Sequence, residues 1–169
     1  MEGKILELSR LVTEIIMKIK EISNYQQSKF LYFSYGMNTL QDNMDFPNAH
    51  CEYIGPCILP GWRLEFRRFC DIDRDPGSEV VGVLWSIDNS ALGHLDLREG
   101  YPEHYSRSKV NVIYNNKQYN ALVYYMTNSY KEYLNLPSNE YLRDVVDGYK
   151  ESKLPLTQIV QAFNRAKSK

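Results

Sequence analysis

The sequence predicts an α+β fold in which helices flank a closed or strongly curved sheet. Two observations predict it. Strand-like runs dominate residues 30–127, and one short helical stretch interrupts them. Helix-period stretches stand before and after that block, and a proline opens each of the last two.

Bulk properties narrow the function classes. A chain of 169 residues is one domain in size and should bury about two thirds of its unfolded surface. Lys plus Arg is 20 and Asp plus Glu is 21, so the net charge is near zero. Arg63, Arg67, Arg68 and Arg74 come nearest to a basic patch, and Glu65, Asp71, Asp73 and Asp75 interrupt it. This argues against nucleic acid as the main partner, because phosphate binding needs clustered positive charge. Cys51, Cys57 and Cys70 are an odd set without a C-x-x-C pair, which suggests reduced thiols and a cytoplasmic location. His50, His94 and His104 lack the spacing of a zinc site, so no metal is expected. No apolar run is long enough to cross a bilayer, and charges interrupt the first twenty residues. Tyrosine occurs 14 times. Such a composition suits either an interior that hosts a polar ligand or a β-rich core with tyrosines at its rims.

The clearest helix covers residues 3–24. Ile5, Leu8, Val12, Ile15, Ile19 and Ile22 are spaced 3, 4, 3, 4, 3, an a/d seam of three heptads, and Leu11 and Ile16 widen it. The stripe either docks on the domain's own core or pairs two copies of the chain as a homodimer. Residues Ser23 to Lys29 are polar and read as a linker. Residues 1–28 are therefore expected to form an N-terminal helix and linker, and 29–169 the main domain.

Phe30 to Tyr35 reads as a short buried strand, with Ser34 its one polar member. Gly36 and Asn38 follow, and both residue types tolerate positive φ, so a sharp turn is expected. Such a turn either cradles an anionic or carbonyl oxygen with its N–H groups or simply leads into a loop. Residues 39–52 read as loop with a helical turn at most, and residues 53–59 and 62–70 as extended. Trp62, Leu64 and Phe66 alternate with Arg63, Glu65 and Arg67, the period of a half-buried strand. Asp71 to Ser78, with Pro76-Gly77, reads as a polar loop. Glu79 to Ile87 is too apolar for a strand with water on both faces. Asn89 or Ser90 is expected to cap a helix that ends at Gly100. Residues 105–114 and 118–127 form a hairpin across Asn115-Asn116-Lys117. Helices are expected over 139–150, opened by Pro137-Ser138, and from Pro155 to about 166.

The short helix holds the candidate for chemistry. Leu92, Leu95 and Glu99 are spaced 3 and 4 and share a face, whereas Asp96 and Arg98 are expected to point elsewhere. A carboxylate continues an apolar stripe in the last helical turn. Desolvation and the helix dipole should both raise its pKa, which suits acid–base work. The alternative is a frayed helix end with Glu99 in solvent. Glu103-His104 is a weaker candidate for an acid–base pair, because neighbours on an extended chain face opposite ways. Ser34 is not in a G-x-S-x-G elbow, and no P-loop, dinucleotide fingerprint or H-E-x-x-H occurs.

Several segments resemble one family. Leu31-Tyr32-Phe33-Ser34-Tyr35-Gly36-Met37-Asn38 is similar to the Y-G-S-N strand–loop of the gamma-glutamylcyclotransferases. Pro76 to Trp85 looks like their P-G-(x)-E-V-x-G-V-x-W strand, and Leu95 to Gly100 followed by Tyr105 looks like L-D-x-x-E-G…Y. Tyr125 to Asn128, Pro137 to Tyr141, Gly148 and Leu154-Pro155 resemble the family's C-terminal part. The similarity covers roughly residues 30–156, in order and register. It implies a small mixed β-barrel with helices around it. It also implies cyclisation of a γ-glutamyl group to 5-oxoproline with release of the attached amine, without cofactor or metal. Carried over by position, Glu99 is the catalytic acid/base. The backbone of Tyr35, Gly36, Met37 and Asn38 holds the γ-glutamyl moiety, and Tyr105 and Tyr141 line the pocket. Met37 departs from the family's usual Ser, and the helix at 3–24 lies outside the resemblance. Two other functions compete with this one: a binding protein that holds a small metabolite in the same pocket without turning it over, and a protein-interaction role for the N-terminal helix.

Overall fold

The computed structural model describes residues 2–27, 29–131 and 133–168, with the side chains at 2 and 21–27 excepted. Five strands close into a ring in the order β1-β3-β2-β4-β5. They are β1 (Lys29–Ser34), β2 (Cys51–Arg67), β3 (Phe69–Asp88), β4 (Tyr105–Tyr114) and β5 (Lys117–Met126). Neighbours run antiparallel except where β1 meets β5, a parallel closure at Tyr32 and Leu122. Among the described residues the helices are α1 (Glu2–Gln27), α2 (Asn89–Glu99), α3 (Asn139–Glu151) and α4 (Thr157–Lys167). The expected α+β architecture with a closed sheet is what the chain adopts.

β1 enters the core as its apolar run dictates, with Phe33 fully buried. Its polar member also has a partner: the indole N–H of Trp85 donates to Ser34 Oγ at 3.0 Å. The Asn115-Asn116 hairpin turns as expected, with φ of 48° and 59° at the two residues. Ser138 caps α3 by accepting from the Tyr141 N–H.

Three local expectations are corrected. Residues 62–70 are not one strand: the chain reverses at Arg68, whose φ of 67° is left-handed, and Phe69 and Cys70 begin β3. Residues 71–78 are not a loop. β3 runs through them, and the segment 75–78 bulges between the pairs Trp62↔Arg74 and Pro60↔Glu79. A long partner strand holds both flanks, so Pro-Gly makes an excursion without ending the strand. The cap of α2 is Asp88, whose carboxylate accepts from the Ala91 N–H at 2.8 Å. Gly100 ends α2 as expected, at φ 62°.

α1 extends to Gln27, beyond the point where a linker was expected. Its residues 3–20 are exposed throughout, so the described part of the seam does not dock on the domain. The side chain of Ile22 lies outside the described residues. No helix among them is long and apolar enough to cross a membrane.

α3 and α4 brace the sheet where the chain leaves β1. Gly148 of α3 lies so close that a Cβ there would sit 2.4 Å from Thr39 Oγ1. Tyr149, fully buried, donates from its hydroxyl to the Tyr35 carbonyl at 2.7 Å. In α4, Gln158 bonds both the N–H and the C=O of Val81, at 2.8 and 2.7 Å. Arg165 donates to the buried Glu65 carboxylate at 3.0 Å, so that charge is paired.

Candidate active site

The turn after β1 is fixed by crowding. Gly36 has φ −119° and ψ −134°, and neither it nor Asn38 adopts positive φ. Glycine is required there for space, because a Cβ would come within 2.9 Å of Cys70 Cβ. A tight 3-10 turn follows over Met37–Thr39. Its ladder runs from the Thr39 N–H to the Gly36 carbonyl (3.1 Å) and from the Leu40 N–H to the Met37 carbonyl (3.2 Å). The N–H groups at the head of such a turn, those of Gly36, Met37 and Asn38, are not consumed by it.

Glu99 arrives from the other side, as the last residue of α2. Leu95, on the same face, is fully buried and anchors the helix. Glu99 Oε1 accepts from Asn38 Nδ2 at 2.9 Å. The second Nδ2 hydrogen of Asn38 goes to the Tyr32 hydroxyl at 3.0 Å, and Asn38 Oδ1 accepts from Arg98 at 3.1 Å. Both amide hydrogens and the amide oxygen are therefore engaged, which fixes the orientation of that side chain. Arg98 also donates to the Asn43 carbonyl and lies over the Phe46 ring, 4.4 Å from its centroid. The expectation that Arg98 points away from the site is thus wrong. Its stem leaves the helix on another face, but its length brings the guanidinium back.

Burial raises the pKa of Glu99, and the Asn38 hydrogen bond and the Arg98 charge partly offset it. Asp96, which was also expected to face away, pairs with Arg107 at 2.7 Å and accepts from the Tyr124 hydroxyl at 2.5 Å.

A cavity of about 360 Å³ opens between these elements. It is lined by Tyr35, Gly36, Met37, Asn38, Glu99, Tyr105 and Tyr141, all of the expected site residues, and its size is that of a small-molecule pocket. Two tyrosines hold the backbone of one residue of its wall. Tyr105 donates to the Cys70 carbonyl at 2.8 Å, and the Tyr141 hydroxyl accepts from the Cys70 N–H at 3.0 Å. Burial raises the phenol pKa of Tyr32, Tyr35, Tyr105 and Tyr141, so these groups stay neutral. Burial also pushes the Cys70 thiol up to about 12, which leaves it unreactive as a thiolate.

Tyr32, Phe69, Cys70, Arg98 and Tyr124 line the same cavity without being expected there from the sequence, and so does His104, the weaker candidate. Tyr32 was within reach of the sequence, as a polar-tipped ring two residues before Ser34. Phe69 and Cys70 were not, because their place depends on the unsuspected reversal at Arg68. Glu103 does not line the cavity, although its neighbour His104 does.

A sequence model of the AIG2-like family matches residues 79–161. Human gamma-glutamylcyclotransferase is 30% identical over 151 residues, which span 81% of this chain and 79% of the human protein. The bovine protein of that name is 29% identical over 152 residues, with the same coverage of 81% and 79%. A solved structure of a gamma-glutamyl cyclotransferase superposes with a TM-score of 0.67 at 27% identity, covering 83% of this chain and 88% of that one. A yeast gamma-glutamyl cyclotransferase specific to glutathione shares the fold, with a TM-score of 0.55 at 13% identity over 83% of this chain and 97% of its own. Kinship at this level across most of both sequences, on a superposable fold, makes this chain a member of the gamma-glutamylcyclotransferase family.

Proposed function

We propose that the protein cyclises a γ-glutamyl group to 5-oxoproline and releases the attached amine, with Glu99 as general acid and base. The observation that carries this reading is the 2.9 Å bond from Asn38 to Glu99 Oε1, which presents a carboxylate of raised pKa to a cavity lined by the N–H-bearing turn at 36–38.

The substrate's α-ammonium cannot attack until it loses a proton. Glu99 takes it, and the freed amine adds to the γ-carbonyl carbon. That carbonyl oxygen becomes an oxyanion, for which the N–H groups of Gly36, Met37 and Asn38 are the candidate donors. As the intermediate collapses, Glu99 returns a proton to the leaving nitrogen, the bond to that nitrogen breaks, and the ring nitrogen gives up its second proton, which leaves on the released ammonium. One C–N bond forms, one breaks, and no water is consumed. Attack within one molecule needs only a folded glutamyl chain, so positioning by Tyr105 and Tyr141 does much of the work. Incubation with a panel of γ-glutamyl amines and amino acids, with 5-oxoproline read by mass spectrometry, tests the reading. No product from any of them would leave the same cavity as a metabolite-binding site.

The reading also gives α1 a partner, a second copy of the chain. Ile5, Leu8, Val12, Ile15 and Ile19 are between 50% and 68% exposed, and they repeat at the spacing of a self-pairing coiled coil. Leu11 and Ile16, which flank the seam, are exposed as well. On this view residues 1–28 are an assembly unit appended to a catalytic domain at 29–169.

A further inference from the structure

Phe69, His104 and Tyr105 line the Glu99 cavity and also a second cavity of about 540 Å³, so the two adjoin. The second cavity is closed by Arg68 at the β2–β3 reversal and by Tyr130 and Tyr133 from the segment after β5. We propose that this second cavity receives the leaving group, and that it selects a leaving amino acid with a large apolar or aromatic side chain and a free carboxylate. The proposal rests on the cyclotransferase reading above.

Space makes the first argument. If the turn at 36–38 and Glu99 hold the glutamyl part, the substituent on the scissile nitrogen must extend out of the first cavity. The adjoining cavity, which shares three lining residues with the first, gives it somewhere to go.

Surface chemistry makes the second. Tyr133 is 80% exposed and Phe69 51%, and both lie on one concavity with Tyr130. The His104 ring lies 4.4 Å from that of Tyr130, centroid to centroid, and extends the aromatic surface toward Glu99. Large rings left open around a concavity fit a flat apolar group.

Charge makes the third. Arg67 and Lys131, close by, are spent on Asp71 and Asp73 at 2.7 to 3.4 Å. Arg68 is not. Its backbone is fixed by the bond from its N–H to the Asn135 carbonyl at 3.1 Å, and its guanidinium has no ion pair or hydrogen bond among the described residues. No carboxylate side chain lines the cavity among the described residues. An anionic leaving group is therefore attracted and a cationic one repelled.

The test compares γ-glutamyl-phenylalanine, its C-terminal amide and γ-glutamyl-ethylamine. The expected kcat/KM of the acid exceeds that of ethylamide by about tenfold or more, from ring contacts and charge together. The acid should exceed its own amide by about fivefold, the worth of one exposed ion pair. Arg68→Gln should close the acid–amide gap, and Tyr133→Ala should narrow the gap between phenylalanine and ethylamine, with melting temperatures near the parent's in both. Equal values for the three compounds, or an acid–amide gap that survives Arg68→Gln, would overturn the proposal. If none of the three yields 5-oxoproline while other γ-glutamyl compounds do, the subsite proposal is overturned; if no γ-glutamyl compound does, the cyclotransferase reading fails by itself. Calorimetric affinities of the same compounds then decide the subsite: the same ranking supports it, and equal affinities overturn it.

Discussion

Asn38 Nδ2 donates to Glu99 Oε1 at 2.9 Å while Arg98 holds Asn38 Oδ1 at 3.1 Å. One carboxylate oxygen is thereby pinned, and nothing in this network engages the other. A proton acceptor pinned in this way keeps its free oxygen at a fixed place, as a base must.

Asn38→Ala tests that relationship. It removes a donor that favours the charged carboxylate, so the Glu99 pKa should rise further above the ordinary carboxylate value of 4.5. The acidic limb of kcat/KM should move to higher pH, an effect that a merely structural role would not produce. Stability should fall by about 1–3 kcal/mol, because the Tyr32 hydroxyl and Arg98 lose a buried partner. A pH–rate profile with an unmoved acidic limb would exclude a positioning role for Asn38.

Met37→Ser puts a hydroxyl in the turn, where the resemblance leads one to expect a serine. Met37 lines the cavity, and its N–H and backbone do not depend on the side chain. The melting temperature should change little, while relative kcat/KM values across the γ-glutamyl panel should shift. Identical values before and after the change would mean that the Met37 side chain does not meet substrate.

The N-terminal seam makes its own prediction. Val12→Asp combined with Ile15→Asp puts charges at the middle of an exposed apolar stripe. If α1 pairs with a second copy, light scattering should show the mass fall to that of one chain, and activity per chain should persist. Deletion of residues 1–26 should do the same. A mass equal to one chain in the unmodified protein would remove the seam's proposed partner.

Legibility in the sequence followed the range of the interactions involved. β1, α2, the Asn115-Asn116 hairpin, α3 and α4 were readable because caps, period and turn residues act over a few positions. The reversal at Arg68 was not readable, since it puts a bulky residue at left-handed φ with neither Gly nor Asn to announce it. The pairing of β2 along the whole of β3 carries the strand through Pro76-Gly77, and no local rule contains that pairing. Glu99 was legible from its spacing to Leu95. Arg98 was not, because a helical wheel gives the direction of Cβ and not the reach of a long side chain. Gly36 was rightly noticed for the wrong reason, its need being space against Cys70 and not positive φ.

Glu99→Gln separates the acid–base role from the structural one. Glutamine keeps the size and can take the Asn38 donor on its carbonyl oxygen, but it cannot accept the α-ammonium proton. Turnover should fall by about two to four orders of magnitude, while γ-glutamyl ligands still bind. Stability should move the other way, with a definite pH dependence. The folded-state pKa of Glu99 is raised, so its favourable contribution is fully present below the unfolded value, near 4.5, and is lost as pH rises through the folded value. Glutamine does not titrate. The variant's melting temperature relative to the parent should therefore climb from the acid side of that window to the neutral side, then level off. Asp71, whose raised pKa does not depend on Glu99, cancels in the difference. Scanning calorimetry of the pair from about pH 4 to pH 8 reads this directly. A melting-temperature difference flat across the range would mean that Glu99 titrates as an ordinary exposed carboxylate. Parent-level 5-oxoproline from the glutamine variant would remove Glu99 from the chemistry.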